Sequence, residues 1–165
     1  MRTRRKTIRR RTLKKNLRFW PPKYYRGLTL KQKIQRKKEF NSRKKYHWTN
    51  PKAYRTLKTN KIVKSKPSQY TRKWDKMFPN AKSLEDRAKV TGVPLKYIRE
   101  SFNRGLAAWA TQGHRPGASQ SAWAYPRVSS MLLCGKTHYS TDSDLVRKAK
   151  AESASARRWW KKQKC

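Results

Sequence analysis

Acidic side chains are scarce in this sequence. Among its 165 residues there are 8 Asp and Glu against 46 Lys and Arg, which gives a formal net charge of +38 at pH 7. A charge of this size opposes compaction of the free chain, because like charges repel one another. The sequence therefore predicts a partner that supplies negative charge, and it offers few carboxyl groups for general acid–base catalysis.

Sequence signatures of catalysis are missing as well. The chain has no Ser/His/Asp or Cys/His catalytic pattern, no Gly-rich phosphate loop and no paired-carboxylate motif. We predict that the protein is not an enzyme, with no catalytic residue, no cofactor and no small-molecule substrate.

Cysteine is rare, with only Cys134 and Cys165. Two cysteines do not indicate the disulfide framework of a small secreted domain, so a reducing compartment is expected. Cys134 and His138 form a Cys-x-x-x-His pair that His114 could extend, but a structural zinc site needs four ligands. We interpret these residues as a buried thiol and hydrogen-bonded imidazoles, and we predict no metal site.

Long apolar runs are also missing. No stretch approaches the roughly 20 apolar residues that cross a bilayer. The basic start of the chain lacks the apolar segment of a secretory signal. It resembles an organelle transit peptide, but its basic character continues far beyond such a segment.

The positive charge is unevenly distributed. Residues 1–74 contain 28 Lys and Arg and one acid, whereas residues 75–165 contain 18 and 7. This asymmetry predicts a basic, extended arm over residues 1–79 and a small helical domain over residues 80–165 that ends in a basic helix. The expected fold class is mainly α.

Aromatic residues are interspersed among the cations of the arm. Such rings can stack on nucleic-acid bases or fill apolar pockets of a protein partner, and they can also pack locally. We favour protein pockets and local packing. A short helix is expected within residues 29–40. The predicted partner-binding residues of the arm are Arg4, Arg5, Arg9, Arg10, Arg11, Phe19, Trp20, Tyr24, Tyr25, Tyr46, Trp48, Tyr54 and Trp74.

The pattern changes to that of folded helices at Ser83. Ser83 and Asp86 match a capping box, which predicts a helix start. Gly92 is suited to end this helix in a left-handed conformation. A second helix is predicted to end near Gly113, with Gly105 closely approached by another backbone or bending the helix. Its apolar stripe of period 3.6 consists of Leu95, Ile98, Phe102, Leu106 and Trp109.

Further helices follow. Ser119 is expected to cap a helix through Trp123, which Pro126 should end or kink. Thr141 and Asp144 match another capping box, so Asp142 and Asp144 are interpreted as caps rather than metal ligands. A final basic helix is predicted over residues 145–164. Trp109 and Trp123 are expected in the core.

Residues 83–105 are similar to a helix-turn-helix in spacing. If this segment reads duplex DNA, Lys96, Tyr97 and Arg99 lie on the exposed face of its second helix. The same spacing is common in purely structural helix corners, which we favour here.

Several segments together resemble a short domain of unknown function that recurs in nucleocytoplasmic large DNA viruses, including those of algae, and in marine phages. The resemblance covers about residues 84–145. It rests on Arg-Gly-Leu-Ala-Ala-Trp at 104–109, Gly-His-Arg-Pro-Gly-Ala at 113–118, Gln120, Trp123, Arg127, Val128, Ser130, Gly-Lys-Thr at 135–137, Asp142, Asp144 and Leu145.

The resemblance implies a viral origin. We expect a minor capsid protein of a large icosahedral DNA virus that bridges capsomers on the inner side of the shell through its cationic arm. Its expected partners are the major capsid protein, other minor capsid proteins, and genomic DNA or internal-membrane phosphates. Two alternatives remain. One is a ribosomal or organellar ribosomal protein that binds rRNA, and the other is a virion DNA-binding or DNA-condensing protein that uses the helix-turn-helix-like segment. Within the domain, Arg115 is expected to pair with Asp142 or Asp144, and the structural motif comprises Trp109, His114, Arg115, Trp123, Asp142 and Asp144.

Overall fold

The computed structural model describes residues 18–47, 50–112 and 114–165, with only the backbone of Ala53 and Tyr54. These residues form eight α-helices and no strand, which confirms the mainly α class. The helices are α1 Leu30–Arg43, α2 Gln69–Met77, α3 Leu84–Thr91, α4 Leu95–Gln112, α5 Gln120–Leu132, α6 Lys136–Tyr139, α7 Ser143–Glu152 and α8 Ala154–Lys162.

The described part of the predicted arm is not extended throughout. Thr29 and Gln32 form a complete capping box at the start of α1, which runs three residues beyond the predicted limit. Ser68 caps α2 by accepting a hydrogen bond from the amide of Tyr70. Three short 3₁₀ turns, Pro22–Tyr24, Pro51–Tyr54 and Lys58–Ile62, connect the rest. Local capping thus stabilises short helices in a segment that was predicted from its charge to be extended.

The corner between α3 and α4 agrees with the sequence in its details. The Ser83 hydroxyl accepts a hydrogen bond from the amide of Asp86, whose carboxylate accepts one from the amide of Ser83. Gly92 follows α3 with φ 66°, in the left-handed region that favours glycine. Helix α4 then ends at Gln112.

Helices α4 and α5 approach each other closely at Gly105. A Cβ atom added there would lie 2.6 Å from the Cα atom of Ala124. Ser119 caps α5 as expected. Of the two outcomes expected at Pro126, an end or a kink, the helix does not end there and continues to Leu132. The small residues at the crossing therefore hold the two helices together over their middle turns.

The C-terminal region differs from the predicted single helix. Ser153 has extended backbone angles and separates α7 from α8. Its hydroxyl accepts a hydrogen bond from the amide of Ala156 and donates one to the carbonyl of Gly92. The predicted capping box of Thr141 and Asp144 is wrong, because α7 begins after Asp142 without a side-chain cap.

Tryptophans contribute much of the core. Trp74 from α2 and Trp160 from α8 are fully buried, and the indole nitrogen of Trp74 donates to the carbonyl of Ala81 at 2.8 Å. Trp109 is also fully buried, as predicted, whereas Trp123 is only half-buried. Because Trp74 belongs to this core, the helical body extends into the predicted arm.

Cys134 and Cys165 form a disulfide bond between the end of α5 and the residues after α8. The sequence predicted two reduced thiols, whereas the structure has a disulfide bond. Among the described residues, no helix is both long and apolar enough to span a membrane.

Candidate polyanion-binding surface

Ion pairs use few of the cationic side chains. In the part of the chain that the structure describes, five carboxylates form ion pairs with only Lys96, Arg99, Arg104 and Arg127. Two further carboxylates, of Glu39 and Asp86, accept hydrogen bonds from hydroxyl groups. Most of the described Lys and Arg side chains therefore have no ion-pairing carboxylate in this chain.

We define the cationic surface as the exposed Lys and Arg side chains outside these ion pairs. It includes members of α1, α2 and α8, at both ends of the described chain. Examples are Lys31, Lys38, Arg72, Lys73, Lys76, Arg157, Arg158, Lys161 and Lys162. Exposed charges of one sign create a positive potential that attracts polyanions and that salt screens.

One part of the cationic surface also presents an aromatic ring. Trp20 is 77% exposed, which is unusual for the largest apolar side chain. It borders a cleft of about 490 Å³, which we call the Trp20 cleft. The lining residues are Arg18, Trp20, Pro21, Tyr24, Tyr25, Lys37, Phe40, Asn41, Arg43 and Lys44.

Internal packing holds the floor of the Trp20 cleft in place. Tyr25 is buried, with its ring centroid 6.2 Å from that of Phe40, and burial raises the pKa of its hydroxyl. Tyr24 contacts Phe40 edge-on at 5.8 Å, and its hydroxyl donates to the carbonyl of Gln112 at 3.5 Å. The cleft therefore rests on the end of α4 and is formed by a folded part of the chain.

The structure separates the predicted arm residues into four groups, and Tyr24, described above, is among the partly buried ones. Tyr25 and Trp74 are buried, while Phe19 packs on Tyr25 at 5.2 Å and Tyr46 lies 5.2 Å from the ammonium group of Lys45. Trp20 remains exposed. The positions outside the described residues or side chains are Arg4, Arg5, Arg9, Arg10, Arg11, Trp48 and Tyr54.

The proposed DNA-facing side chains of α4 are engaged with carboxylates. Lys96 lies 2.6 Å from the carboxylate of Glu152, which also accepts a hydrogen bond from the Tyr97 hydroxyl. Arg99 pairs with Glu85 at 2.9 Å. These contacts lower the pKa of both carboxyl groups and reduce the positive potential along this face of α4.

The loop around His114 attaches the N-terminal region to the helical body. Arg36, from α1, is fully buried and donates hydrogen bonds to the carbonyl of His114 and, at 2.8 Å, to Thr59 and Asn60. Gly117, with φ 78°, donates to the carbonyl of Asn60 at 2.9 Å. Within the Gly-His-Arg-Pro-Gly block, His114 and Gly117 thus connect this loop to the N-terminal region, whereas the sequence suggested a contact with the last helix.

His114 itself is buried between aromatic and cationic groups. Its ring centroid lies 4.3 Å from that of Trp109, and the guanidinium group of Arg43 lies within 3.5 Å of its nitrogens. Burial, followed by the charges of Arg43 and Arg36, lowers the pKa of His114 to about 4. The imidazole is therefore neutral at pH 7, which suits a packing role.

The predicted pairing of Arg115 with Asp142 or Asp144 is wrong. The Arg115 guanidinium lies over the ring of Trp123 at 5.2 Å. Asp142, fully buried, accepts hydrogen bonds from Arg127 and Ser101. Asp144 forms a bidentate pair with Arg104, with both distances 2.7 Å, and this hydrogen bonding lowers the pKa of Asp144 to about 2.

Sequence reasoning missed two buried arginines. Arg36 and Arg87 are almost wholly buried, and burial lowers the pKa of each to about 10. The Arg87 guanidinium lies between the rings of Trp74 and Tyr125, at 4.6 and 5.0 Å. Arg87 lies three residues after Leu84, and this spacing places it on the inner face of α3. It was missed because a cation is not expected in a core without a carboxylate partner.

Comparison with known sequences identifies one family. A family of unknown function, DUF5824, matches residues 21–149. No curated protein and no solved structure matches this chain. The matched region starts within the predicted arm, in agreement with the packing of Trp74 and Arg36 against the helical body. Because the match covers more than half of the sequence, the chain belongs to this family of unknown function.

Proposed function

We propose that the protein is a non-enzymatic structural component of a virus particle, a minor capsid protein that lies on the inner side of a large icosahedral shell and binds an acidic surface there. The observation that carries the proposal is the small number of internal ion pairs: four cationic side chains of the described residues meet carboxylates. Apart from the buried Arg36 and Arg87, most of the other described Lys and Arg side chains are exposed, and these are available to an external polyanion or acidic protein surface.

The physical argument is one of charge balance. A net charge of +38 on 165 residues produces strong self-repulsion, which falls when a partner contributes negative charge. Stable association inside an assembly therefore stabilises the folded chain as well as the assembly. The major capsid protein, other minor capsid proteins, genomic DNA and internal-membrane phosphates are the partners that fit this chemistry in a virus particle.

The Trp20 cleft provides an anchor that salt does not screen. An exposed tryptophan beside a cleft is typical of the aromatic residues that dominate protein–protein interfaces. Because Trp74 and Tyr25 are buried internally, Trp20 is the described arm aromatic best placed to enter a partner's pocket. The viral assignment rests on the resemblance of residues 84–145 to the viral domain.

A second candidate function is nucleic-acid binding, either as a DNA-condensing virion protein or as a ribosomal protein. The cleft combines the exposed ring of Trp20 with Arg18, Lys37, Arg43 and Lys44. Stacking rings flanked by cations are typical of surfaces that bind single-stranded nucleic acid. Both functions use the same cationic surface, so the location of the chain in the particle distinguishes them.

Treatment of purified particles with nuclease at moderate salt tests the proposal. A shell protein anchored through Trp20 should stay with the capsomers, because apolar burial is not screened by salt. The Trp20→Ala variant should be lost from the shell more readily than wild type. Tyr139→Ala, which removes an exposed ring (64% exposed) outside the cleft, is the matched control and should be retained. Release of the wild-type chain by nuclease while the shell stays intact would instead assign it to the nucleic acid.

A further inference from the structure

Three side chains with soft ligand atoms meet where the end of α5 contacts the residues after α8. Cys134, His138 and Cys165 each contribute one ligand atom, and all three atoms lie within 4.8 Å of one another. His138 is buried, and the Cα atoms of the two cysteines are 5.9 Å apart. Neither the Cys-x-x-x-His pair nor the position of Cys165 in the sequence indicates that the three converge.

The fold holds His138 in a defined orientation. Its Nδ1 atom lies 3.0 Å from the carbonyl oxygen of Met131, which can only accept a hydrogen bond. Nδ1 therefore carries the proton, and the lone pair is on Nε2. Metal-binding histidines commonly donate their second nitrogen to a backbone carbonyl in this way. The rings of Tyr139 and Trp160, at 4.7 and 5.5 Å, restrict rotation of the imidazole.

The backbone on both sides of the cluster is also fixed. Cys134 has φ 55°, in the left-handed region, two residues after the end of α5. The amide of Cys165 donates to the carbonyl of Trp160 at 3.0 Å. The thiol groups are thus positioned by two separate parts of the chain that pack against each other.

The distances suit a tetrahedral zinc site. Zn–S and Zn–N bonds of about 2.3 and 2.0 Å place neighbouring ligand atoms about 3.3–3.8 Å apart. The three ligand atoms lie within 4.8 Å of one another, and the two sulfur atoms separate toward this spacing when the disulfide is reduced, from Cα atoms 5.9 Å apart. Two thiolates and an imidazole select Zn²⁺ over Mg²⁺ or Ca²⁺, which prefer oxygen ligands.

We propose that the reduced protein binds one Zn²⁺ ion through Cys134, His138 and Cys165, with water as the fourth ligand. Two molecules of a thiol reductant first supply two electrons and two protons to the disulfide and leave as their own disulfide. Zn²⁺ then replaces the two thiol protons, which pass to solvent.

The high positive charge of the chain does not oppose this exchange. The disulfide, the two thiols and the Zn²⁺–dithiolate unit are all neutral, so binding of the cation leaves the net charge of +38 unchanged. Either the disulfide or the metal joins the end of α5 to the residues after α8. The proposal is independent of the capsid assignment.

Metal titration of the full-length chain tests the site. The protein is reduced with a phosphine, and Zn²⁺ is titrated in competition with a chromophoric chelator. One equivalent should bind. Co²⁺ should give thiolate-to-metal charge-transfer and tetrahedral ligand-field bands. Cys165→Ser and His138→Gln should each weaken binding by about 100-fold or more, since removing a ligand costs more than removing an outer contact. His114→Gln, at a buried histidine outside the cluster, should bind as wild type.

Thiol alkylation gives a second measurement that does not depend on the folding of a variant. Zn²⁺ should slow the reaction of both wild-type cysteines with iodoacetamide. A reduced chain with normal helical circular dichroism that binds no stoichiometric Zn²⁺ would overturn the proposal and leave the pair as a disulfide only. Equal alkylation rates with and without Zn²⁺ would overturn it as well, and so would unchanged affinity in the Cys165→Ser variant.

Discussion

Trp109 shows what a single core residue contributes in this fold. It is fully buried beside His114, and its indole nitrogen donates to the carbonyl of Ala118 at 3.0 Å. We expect Trp109→Ala to lower the free energy of unfolding by about 3 to 5 kcal/mol, because a large cavity remains and the carbonyl loses its donor. Urea unfolding followed by circular dichroism measures the change. A loss below about 1 kcal/mol would contradict the burial.

His114 makes stability depend on pH. Its pKa is lowered to about 4 in the folded protein, against about 6.5 when unfolded. As pH falls below 6.5 the unfolded chain binds a proton that the folded chain does not, so the free energy of unfolding decreases. The expected loss from this residue between pH 6.5 and pH 5 is about 1.5 kcal/mol. His138 contributes in the same direction.

Urea unfolding of wild type and His114→Gln at pH 6.5 and pH 5 measures this contribution. The variant should lose most of the pH dependence, although its stability at pH 6.5 will differ from that of wild type. An equal pH dependence in the two proteins would show that His114 titrates normally.

At the scale of elements, the contact between α4 and α5 depends on the absence of a side chain at Gly105. Alanine favours helix by about 1 kcal/mol over glycine. Its Cβ, however, would lie 2.6 Å from the backbone of Ala124 and force the helices apart. We expect Gly105→Ala to destabilise the protein by about 1 to 3 kcal/mol, as overpacking does.

Thermal unfolding of Gly105→Ala checks this expectation against Asn103→Ala, an exposed position on the same helix. The control should change stability by no more than about 0.5 kcal/mol. A Gly105→Ala variant more stable than wild type would mean that the helices can separate there at little cost.

The elements that sequence predicted well are those set by local chemistry. The Ser83 capping box, the left-handed Gly92 and the close approach at Gly105 each depend on neighbouring residues or on one missing Cβ. The break at Ser153 was missed because its hydroxyl is fixed by the carbonyl of Gly92, 61 residues away. Arg104 and Asp144 are likewise distant partners, and periodicity alone does not pair them.

The sequence predicts that the candidate surface is cationic, but it does not predict which side chains are exposed on it. Composition indicates an unbalanced positive charge, but it does not distinguish Trp20, which is exposed, from Trp74, which is fully buried. Both stand among cations in the sequence. The difference arises from tertiary packing, because α2 lies against the helical body and carries Trp74 into its core.

At the scale of the molecule, the stable unit should begin before residue 80. Trp74 packs on Phe78 at 4.9 Å and on the guanidinium group of Arg87 at 4.6 Å. A fragment of residues 80–165 lacks this ring, whereas a fragment of residues 66–165 retains it. We expect the longer fragment to be more stable by about 3 to 5 kcal/mol, the usual cost of removing a buried tryptophan.

Chemical unfolding of the two fragments, followed by helical circular dichroism, measures the difference. Trp74→Ala in the longer fragment serves as a control and should account for most of it. Equal unfolding midpoints for the two fragments would restore the predicted domain start at residue 80.

The charge of this chain comes almost entirely from lysine and arginine, and only three of its side chains are histidines. Contacts lower the pKa values of Glu85, Asp144 and Glu152, and burial lowers those of His114 and His138. Lysine and arginine generally keep their protons to about pH 10. With 46 Lys and Arg against 8 acids and 3 His, the molecule stays strongly cationic from about pH 5 to pH 9. Its affinity for an anionic surface should therefore depend on ionic strength much more than on pH.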